Sequence, residues 1–91
     1  MFQLIYSLNG KIDISNHSSK EEARKAMIEG VKEYLEIDEH LQVYEKNKSL
    51  DGNCKLVTDR EWDLTIEVKD DEAYVHIVEE QEEACWKIQE I

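Results

Sequence analysis

The chain has 91 residues, of which 41% are hydrophobic and 36% charged, and its 22 acidic and 11 basic side chains give a formal net charge of −11. This length is short for two domains and the apolar fraction is high for a disordered chain, so we expect one folded domain over residues 1–91. The negative charge repels the phosphates of nucleic acids and of anionic lipids, which argues against direct binding to either.

The sequence favours a cytoplasmic protein. No segment approaches the length of a membrane span, and the apolar residues 1–8 lack the basic start of a signal peptide. The two cysteines, Cys54 and Cys85, form a single possible pair without an export signal, which is more typical of free thiols than of a disulfide.

A β-hairpin is predicted at the N-terminus, because residues 2–6 and 11–15 alternate with period two around Asn9-Gly10. A two-residue loop would pair Leu8 with Lys11 and divide the apolar side chains between both faces. A three-residue loop with a left-handed Gly10 bulge would gather them on one face, and we therefore expect the bulged hairpin. The gathered residues would be Phe2, Leu4, Tyr6, Ile12 and Ile14.

An amphipathic helix is predicted over residues 21–36. Ser18 and Ser19 each precede a glutamate by three residues, Glu21 and Glu22, which is the pattern of a capping box. Apolar residues recur behind it at steps of three and four, and charged residues occupy the other side. The apolar stripe consists of Ala23, Ala26, Met27, Gly30, Val31, Tyr34 and Leu35.

Beyond Asp38 the period returns to two, which predicts a strand over residues 41–44, and Asp51-Gly52 indicates a turn. Residues 54–62 remain open at this point, since a short strand and a capped helical turn before Trp62 both fit.

The last thirty residues are typical of an antiparallel meander. Leu64, Ile66 and Val68 alternate with polar residues, an acidic turn follows, and residues 74–78 form a strand that is apolar on both faces and therefore central. Residues 84–91 fit a final strand, with a short helix as the alternative. The fold class is α+β: a hairpin, one helix and a meander, giving one sheet with the helix packed on one face.

The sequence offers no recognisable catalytic or metal-binding set, and we expect neither enzymatic activity nor a cofactor. His17, His40 and His76 show no zinc-type spacing with the cysteines; His17 fits a turn, and His40 or His76 fits a half-exposed strand position. Glutamates surround Cys85 and would keep its thiol protonated.

The acidic residues concentrate towards the C-terminus. Residues 1–20 carry +1, residues 21–49 carry −3 and residues 50–91 carry −9, which sum to −11. Gathered on one surface, the later acids would imitate a row of phosphates, whereas the alternative is a solvated face that blunts the sheet edges. The candidate partner-binding residues are Asp63, Glu67, Asp70, Asp71, Glu72, Glu79, Glu80, Glu82 and Glu83.

Large aromatic side chains are candidate anchors of an interface or simply core residues, namely Tyr44, Trp62, Tyr74 and Trp86. The predicted strand over residues 41–44 would offer an unpaired edge to a second copy, so a monomer and a homodimer are both open.

In size, charge and lack of a catalytic set, the chain resembles the small acidic inhibitors that phages and mobile elements use against host nucleic-acid enzymes, such as anti-CRISPR, antirestriction and uracil-glycosylase-inhibiting proteins. The likeness is one of composition and covers no alignable segment. It implies a non-enzymatic protein, an inhibitor or a nucleic-acid-mimicking decoy, that docks on the basic groove of a nucleic-acid-binding enzyme. The alternative function is a homo-oligomeric structural or regulatory domain whose acidity only serves solubility.

Overall fold

A computed structural model of the protein describes residues 1–36 and 40–91. Within these ranges the chain forms six strands and two helices. In chain order they are β1 (Phe2–Leu8), β2 (Lys11–His17), α1 (Lys20–Glu36), α2 (Leu41–Asn47), β3 (Cys54–Asp59), β4 (Leu64–Val68), β5 (Glu72–Ile77) and β6 (Glu82–Glu90).

All six strands belong to one antiparallel sheet with the order β2-β1-β6-β5-β4-β3. The last strand, β6, therefore lies between the N-terminal hairpin and the C-terminal meander. Its pairing with β1 brings the chain ends together, since the Ile91 amide donates to the Met1 carbonyl at 2.9 Å. The α+β class and the single sheet with a helix on one face are confirmed.

The N-terminal hairpin is confirmed, but its predicted bulged loop is wrong. Leu8 pairs with Lys11 across a two-residue loop in which Asn9 and Gly10 have φ angles of 49° and 88°. This left-handed pair follows the twist of the strands. As a result the apolar residues do divide: β1 gives its even-numbered side chains to the core, while Ile5 shares the uncovered face of the sheet with Ile12 and Ile14 of β2.

Helix α1 begins where the sequence predicts. The Ser19 hydroxyl accepts the Glu22 amide at 3.1 Å, and the Ser18 hydroxyl donates to the Glu22 carboxylate at 2.7 Å, which lowers the pKa of Glu22. The bond from the Glu22 amide satisfies one of the free amides in the first turn of the helix. The apolar stripe then packs on the sheet, and its four fully buried members are Ala23, Met27, Val31 and Leu35.

The strand predicted over residues 41–44 is wrong, because this segment forms the helix α2. Val43 and Tyr44 are both buried, which a strand at the edge of a sheet with one uncovered face would prevent, since neighbouring side chains would point to opposite faces. The Tyr44 hydroxyl also donates to the Gly52 carbonyl at 2.6 Å, fixing the predicted turn beneath the helix. Asp38, beyond which the strand is predicted, lies outside the described residues.

The sequence leaves the structure of residues 54–62 and 84–91 open, and both segments contain strands. Residues 54–59 form β3, and residues 60–63 form a turn in which the Asp59 carboxylate accepts the amides of Glu61 and Trp62. The central strand predicted near residues 74–78 is β5, and the final segment is β6.

The sheet has one covered and one uncovered face. Both helices lie on the covered face, where β4, β5 and β6 contribute alternate side chains to the core. The other face carries no helix among the described residues. In the same ranges, no helix has both the length and the apolar character needed to cross a membrane.

We predict that Gly30→Ala destabilises the protein although it replaces glycine within a helix. Alanine normally improves an exposed helix position by about 1 kcal/mol, but a Cβ at Gly30 would lie 2.9 Å from Nε1 of Trp86. Trp86 is buried and stacked on Tyr6, so it has little freedom to move. Overpacking should outweigh the helical gain by about 1 kcal/mol, which urea denaturation measures. The neighbouring Glu29→Ala serves as control and should change little; a Gly30→Ala variant more stable than the wild type would contradict this packing.

Candidate functional site

Three turns meet at one end of the sheet, and two of them carry acidic residues. The turns are the β1-β2 loop and residues 60–63 and 78–81. The Asn9 amide donates to the Glu83 carbonyl at 3.1 Å, and the Glu83 amide donates to the Asn9 side chain at 2.9 Å. The Val78 amide donates to the Asp63 carbonyl at 3.0 Å. These backbone bonds fix the three turns against one another.

Five of the nine predicted partner-binding residues lie at this end, and we call them the acidic rim: Asp63, Glu79, Glu80, Glu82 and Glu83. The side chains of the rim reach both faces, because Glu82 and Glu83 are successive residues of β6. Glu82 points to the helical face and Glu83 lies beside His76 on the uncovered face.

The other four predicted residues lie towards the opposite end of the strands: Glu67, Asp70, Asp71 and Glu72. The intervening strand β5 has six residues, so roughly 15 to 20 Å separates the two turns. The nine residues therefore form two groups. Asp63 and Glu67 do not continue one acidic row, since Asp63 has a left-handed φ of 49° in the turn before β4.

The second group is partly neutralised by basic side chains of the same chain. The Lys69 ammonium lies 3.3 Å from a carboxylate oxygen of Glu72 and 3.7 Å from one of Glu67. The Arg24 guanidinium lies 3.9 Å from Asp70. Such exposed pairs contribute little stability, but they reduce the field that this end presents to a partner.

In the part of the chain that the structure describes, three residues of the acidic rim lack such ion pairs. Within residues 1–36 and 40–91, Asp63, Glu79 and Glu83 form no salt bridge, and all three are exposed. Glu82 instead accepts the Tyr34 hydroxyl at 2.6 Å, a neutral donor that leaves its negative charge in place. The rim is therefore a concentrated source of negative potential.

The rim is flanked by further carboxylates, which are not among the nine predicted residues. Tyr34 places the last turn of α1 beside the rim, and this turn carries Glu33 and Glu36 without a basic residue. Negative side chains at a helix C-terminus oppose the helix dipole, typically by about 0.3 to 1 kcal/mol each. Asp59 and Glu61 add two more from the β3-β4 turn. Helices usually carry basic residues in their last turn, and the sequence shows two glutamates there instead. This is the feature by which Glu33 and Glu36 could have been selected from the sequence.

The aromatic candidates divide between core and surface. Tyr44 and Trp86 are buried and serve packing, whereas Tyr74 is half-buried on the uncovered face. Trp62 is half-buried next to Asp63, and its ring lies edge-on to His40 with 5.4 Å between centroids. Trp62 is thus the aromatic side chain available at the rim. His76 is the half-exposed strand histidine that the sequence predicts, and His40 is buried. The turn position predicted for His17 is wrong, because His17 is the last residue of β2 and is half-buried there.

The cysteines are free, and their environment keeps them protonated. Burial raises the pKa of both thiols, and the carboxylates of Glu83 and Glu72 raise that of Cys85 further. Cys54 faces the core and Cys85 the uncovered face. Among the residues that the structure describes, no three histidine, cysteine or carboxylate side chains form a group that could hold a metal ion.

Comparison of the chain with known protein families, with curated proteins and with solved structures finds no match.

We predict that Tyr34 contributes to a loss of stability at alkaline pH. Burial, together with the hydrogen bond to Glu82 and its charge, raises the pKa of Tyr34 strongly. The unfolded chain loses this proton near pH 10, whereas the folded protein retains it, so the free energy of unfolding should fall as the pH rises above about 10. In Tyr34→Phe this fall should be shallower, as measured by urea denaturation at a series of pH values.

Tyr74→Phe is the control for that measurement, since the Tyr74 hydroxyl forms no hydrogen bond to a carboxylate among the described residues. It should reduce the alkaline slope less than Tyr34→Phe does. Equal slopes in the wild type and in Tyr34→Phe would show that the bond to Glu82 does not hold the proton.

Proposed function

We propose that the protein is a non-enzymatic, acidic binding protein whose rim docks on a basic protein surface, and that it acts as an inhibitor or nucleic-acid-mimicking decoy in the groove of a nucleic-acid-binding enzyme. The anti-defence role of phage and mobile-element inhibitors is the biological setting that this chemistry fits. The proposal places the protein in the cytoplasm, where both thiols stay reduced.

The observation that carries the proposal is the accumulation of carboxylates at one end of the sheet, including positions where stability disfavours them. Solubility alone requires neither Glu33 and Glu36 at the C-terminus of α1 nor the exposed carboxylates of Asp63, Glu79 and Glu83 close together at one end of the sheet. Arg60 and Lys11 lie at the same turns, but the acids outnumber them, and an excess of negative charge attracts a basic partner and accelerates its association.

Trp62 supports the same surface as a docking site. Charged rims contribute mainly to the rate and specificity of association, while aromatic side chains contribute much of the affinity. A half-buried indole beside Asp63 supplies an apolar contact within the acidic surroundings.

Charge neutralisation at the rim tests the proposal. The probes are an oligo-arginine peptide, titrated by calorimetry, and a panel of DNA nucleases and DNA glycosylases assayed for inhibition. The triple variant Asp63→Asn, Glu79→Gln, Glu83→Gln removes three exposed charges from the rim. We expect about tenfold weaker binding to the peptide, since each exposed charge contributes up to about 1 kcal/mol, and a matching loss of inhibition of any enzyme that the wild type inhibits.

The matched control is the triple variant Asp70→Asn, Asp71→Asn, Glu72→Gln, which removes the same charge from the opposite end. Its affinity should stay within about twofold of the wild type, because Lys69 and Arg24 already offset that group. Equal losses in the two triple variants would mean that net charge alone governs binding. Failure of the wild type to inhibit any enzyme of the panel would reject the decoy function.

A further inference from the structure

The outer edge of β2 is a second surface with the features of an interaction site. Among residues 1–36 and 40–91, β2 ends the sheet and its single partner strand is β1. Its first six residues are exposed, it has seven residues in regular register, and it contains neither proline nor a bulge. Natural proteins usually interrupt or cover such an edge, because its free amides and carbonyls can accept another strand.

The direction of the backbone groups of β2 follows from the neighbouring ladder. The backbone amides and carbonyls of the odd-numbered residues of β1 point towards β6. The bonds from the Asn9 amide to the Glu83 carbonyl and from the Ile91 amide to the Met1 carbonyl show this at the two ends of the β1-β6 pairing. The even-numbered residues of β1 therefore form their backbone hydrogen bonds with the odd-numbered residues of β2. The amides and carbonyls of Ile12, Ile14 and Asn16 point away from the sheet.

The opposite edge of the sheet is built differently. The register of β3 shifts between Cys54 and Val57, and α2 packs against this strand. Lys55 adds a positive charge to the irregular part. The register shift in particular discourages pairing with a further strand, and β2 has no such irregularity; its own lysine, Lys11, lies at its first position, before the outward-facing residues 12, 14 and 16.

We propose that β2 pairs with β2 of a second copy of the chain, antiparallel and centred on Ile14, to form a twelve-stranded sheet around a two-fold axis. In this register Ile14 lies opposite its own copy and Ile12 lies opposite Asn16 of the second copy. The three outward-facing residues of each strand then form up to six hydrogen bonds between the chains. A register centred on Asp13 instead would place that carboxylate against its own copy and use fewer outward groups.

The distribution of charge favours a second copy at this edge. Residues 1–20 carry +1, while the remainder of the chain carries −12, as the total of −11 requires. Two molecules that repel each other elsewhere can therefore approach through the N-terminal hairpin. In the proposed register Asp13 lies opposite Ser15 and Lys11 opposite His17, so no two carboxylates face each other.

The exposed isoleucines support the same arrangement. Ile12 is 64% exposed and Ile14 57% exposed on the uncovered face, next to the half-buried Ile5. Pairing across the two-fold axis joins these side chains with their counterparts into one apolar strip and covers part of each. Dimerisation leaves the acidic rims exposed, so it neither requires nor excludes the rim as a docking site.

Sedimentation equilibrium over a range of concentrations tests the dimer. The wild type should show a monomer-dimer equilibrium, and Ile14→Lys should raise its dissociation constant at least tenfold by placing two ammonium groups at the axis. Leu56→Lys is the matched control, since Leu56 is 62% exposed on the strand at the other edge and should not affect association. Circular dichroism checks that both variants fold. A wild type that stays monomeric at every concentration, or a dimer weakened equally by both variants, would overturn the proposal.

Cysteine cross-linking tests the register in a Cys85→Ser background. Directly opposed residues of a hydrogen-bonded pair have Cα atoms about 5.5 Å apart, which a disulfide can bridge, so Ile14→Cys should form a covalent dimer on oxidation. Ile12→Cys should not, because the two copies of residue 12 would be about 13 Å apart along the strands. Cross-linking through residue 12 and not through residue 14 would reject pairing centred on Ile14.

Discussion

The pairing of β6 with β1 is the contact on which the rest of the structure depends. It joins the first and last strands of the chain, and without it the N-terminal hairpin and the C-terminal meander would be separate small sheets. Its Trp86 side chain stacks on Tyr6 with 5.0 Å between ring centroids and sits under Gly30 of α1. The same strand begins at the acidic rim, so the pairing that completes the core also positions Glu82 and Glu83.

Local patterns in the sequence predict most of the fold. The capping serines, the apolar stripe of α1 and the alternation in β4 each depend on neighbours within a few residues, and the structure confirms them. The error at the hairpin loop comes from setting such a local pattern aside. Gathering every apolar residue on one face assumes that the other face needs none, but Ile5, Ile12 and Ile14 lie there. Asn9-Gly10 is itself the sequence most typical of a two-residue loop, and this local preference prevails.

The error at α2 has a similar origin. Leu41 and Val43 alternate with polar neighbours, and over four residues this pattern is shared by a strand and by a short helix. The distinguishing contact is remote, because the buried Tyr44 reaches the turn at Gly52. A sequence window that ends at residue 44 does not contain it.

The position of the candidate site could be predicted only in part. The excess of acids after residue 50 is visible in the sequence, but their division into two groups follows from the meander. Successive turns of an antiparallel sheet lie at opposite ends, which separates Asp70 and Asp71 from Glu79 and Glu80 although few residues intervene. The approach of Glu33 and Glu36 to the rim depends on how α1 crosses the sheet, and its one specific contact is the bond from Tyr34 to Glu82.

The meeting of Met1 and Ile91 has a practical consequence. Both residues lie where β1 begins and β6 ends, which is the end of the sheet away from the rim. An affinity tag, a fluorophore or a neighbouring domain joined to either residue therefore leaves the molecule on the far side from the carboxylates. Because the two ends already touch, a short peptide can also link them, and a circularly permuted chain opened at the exposed loop around Leu50 would retain every strand pairing.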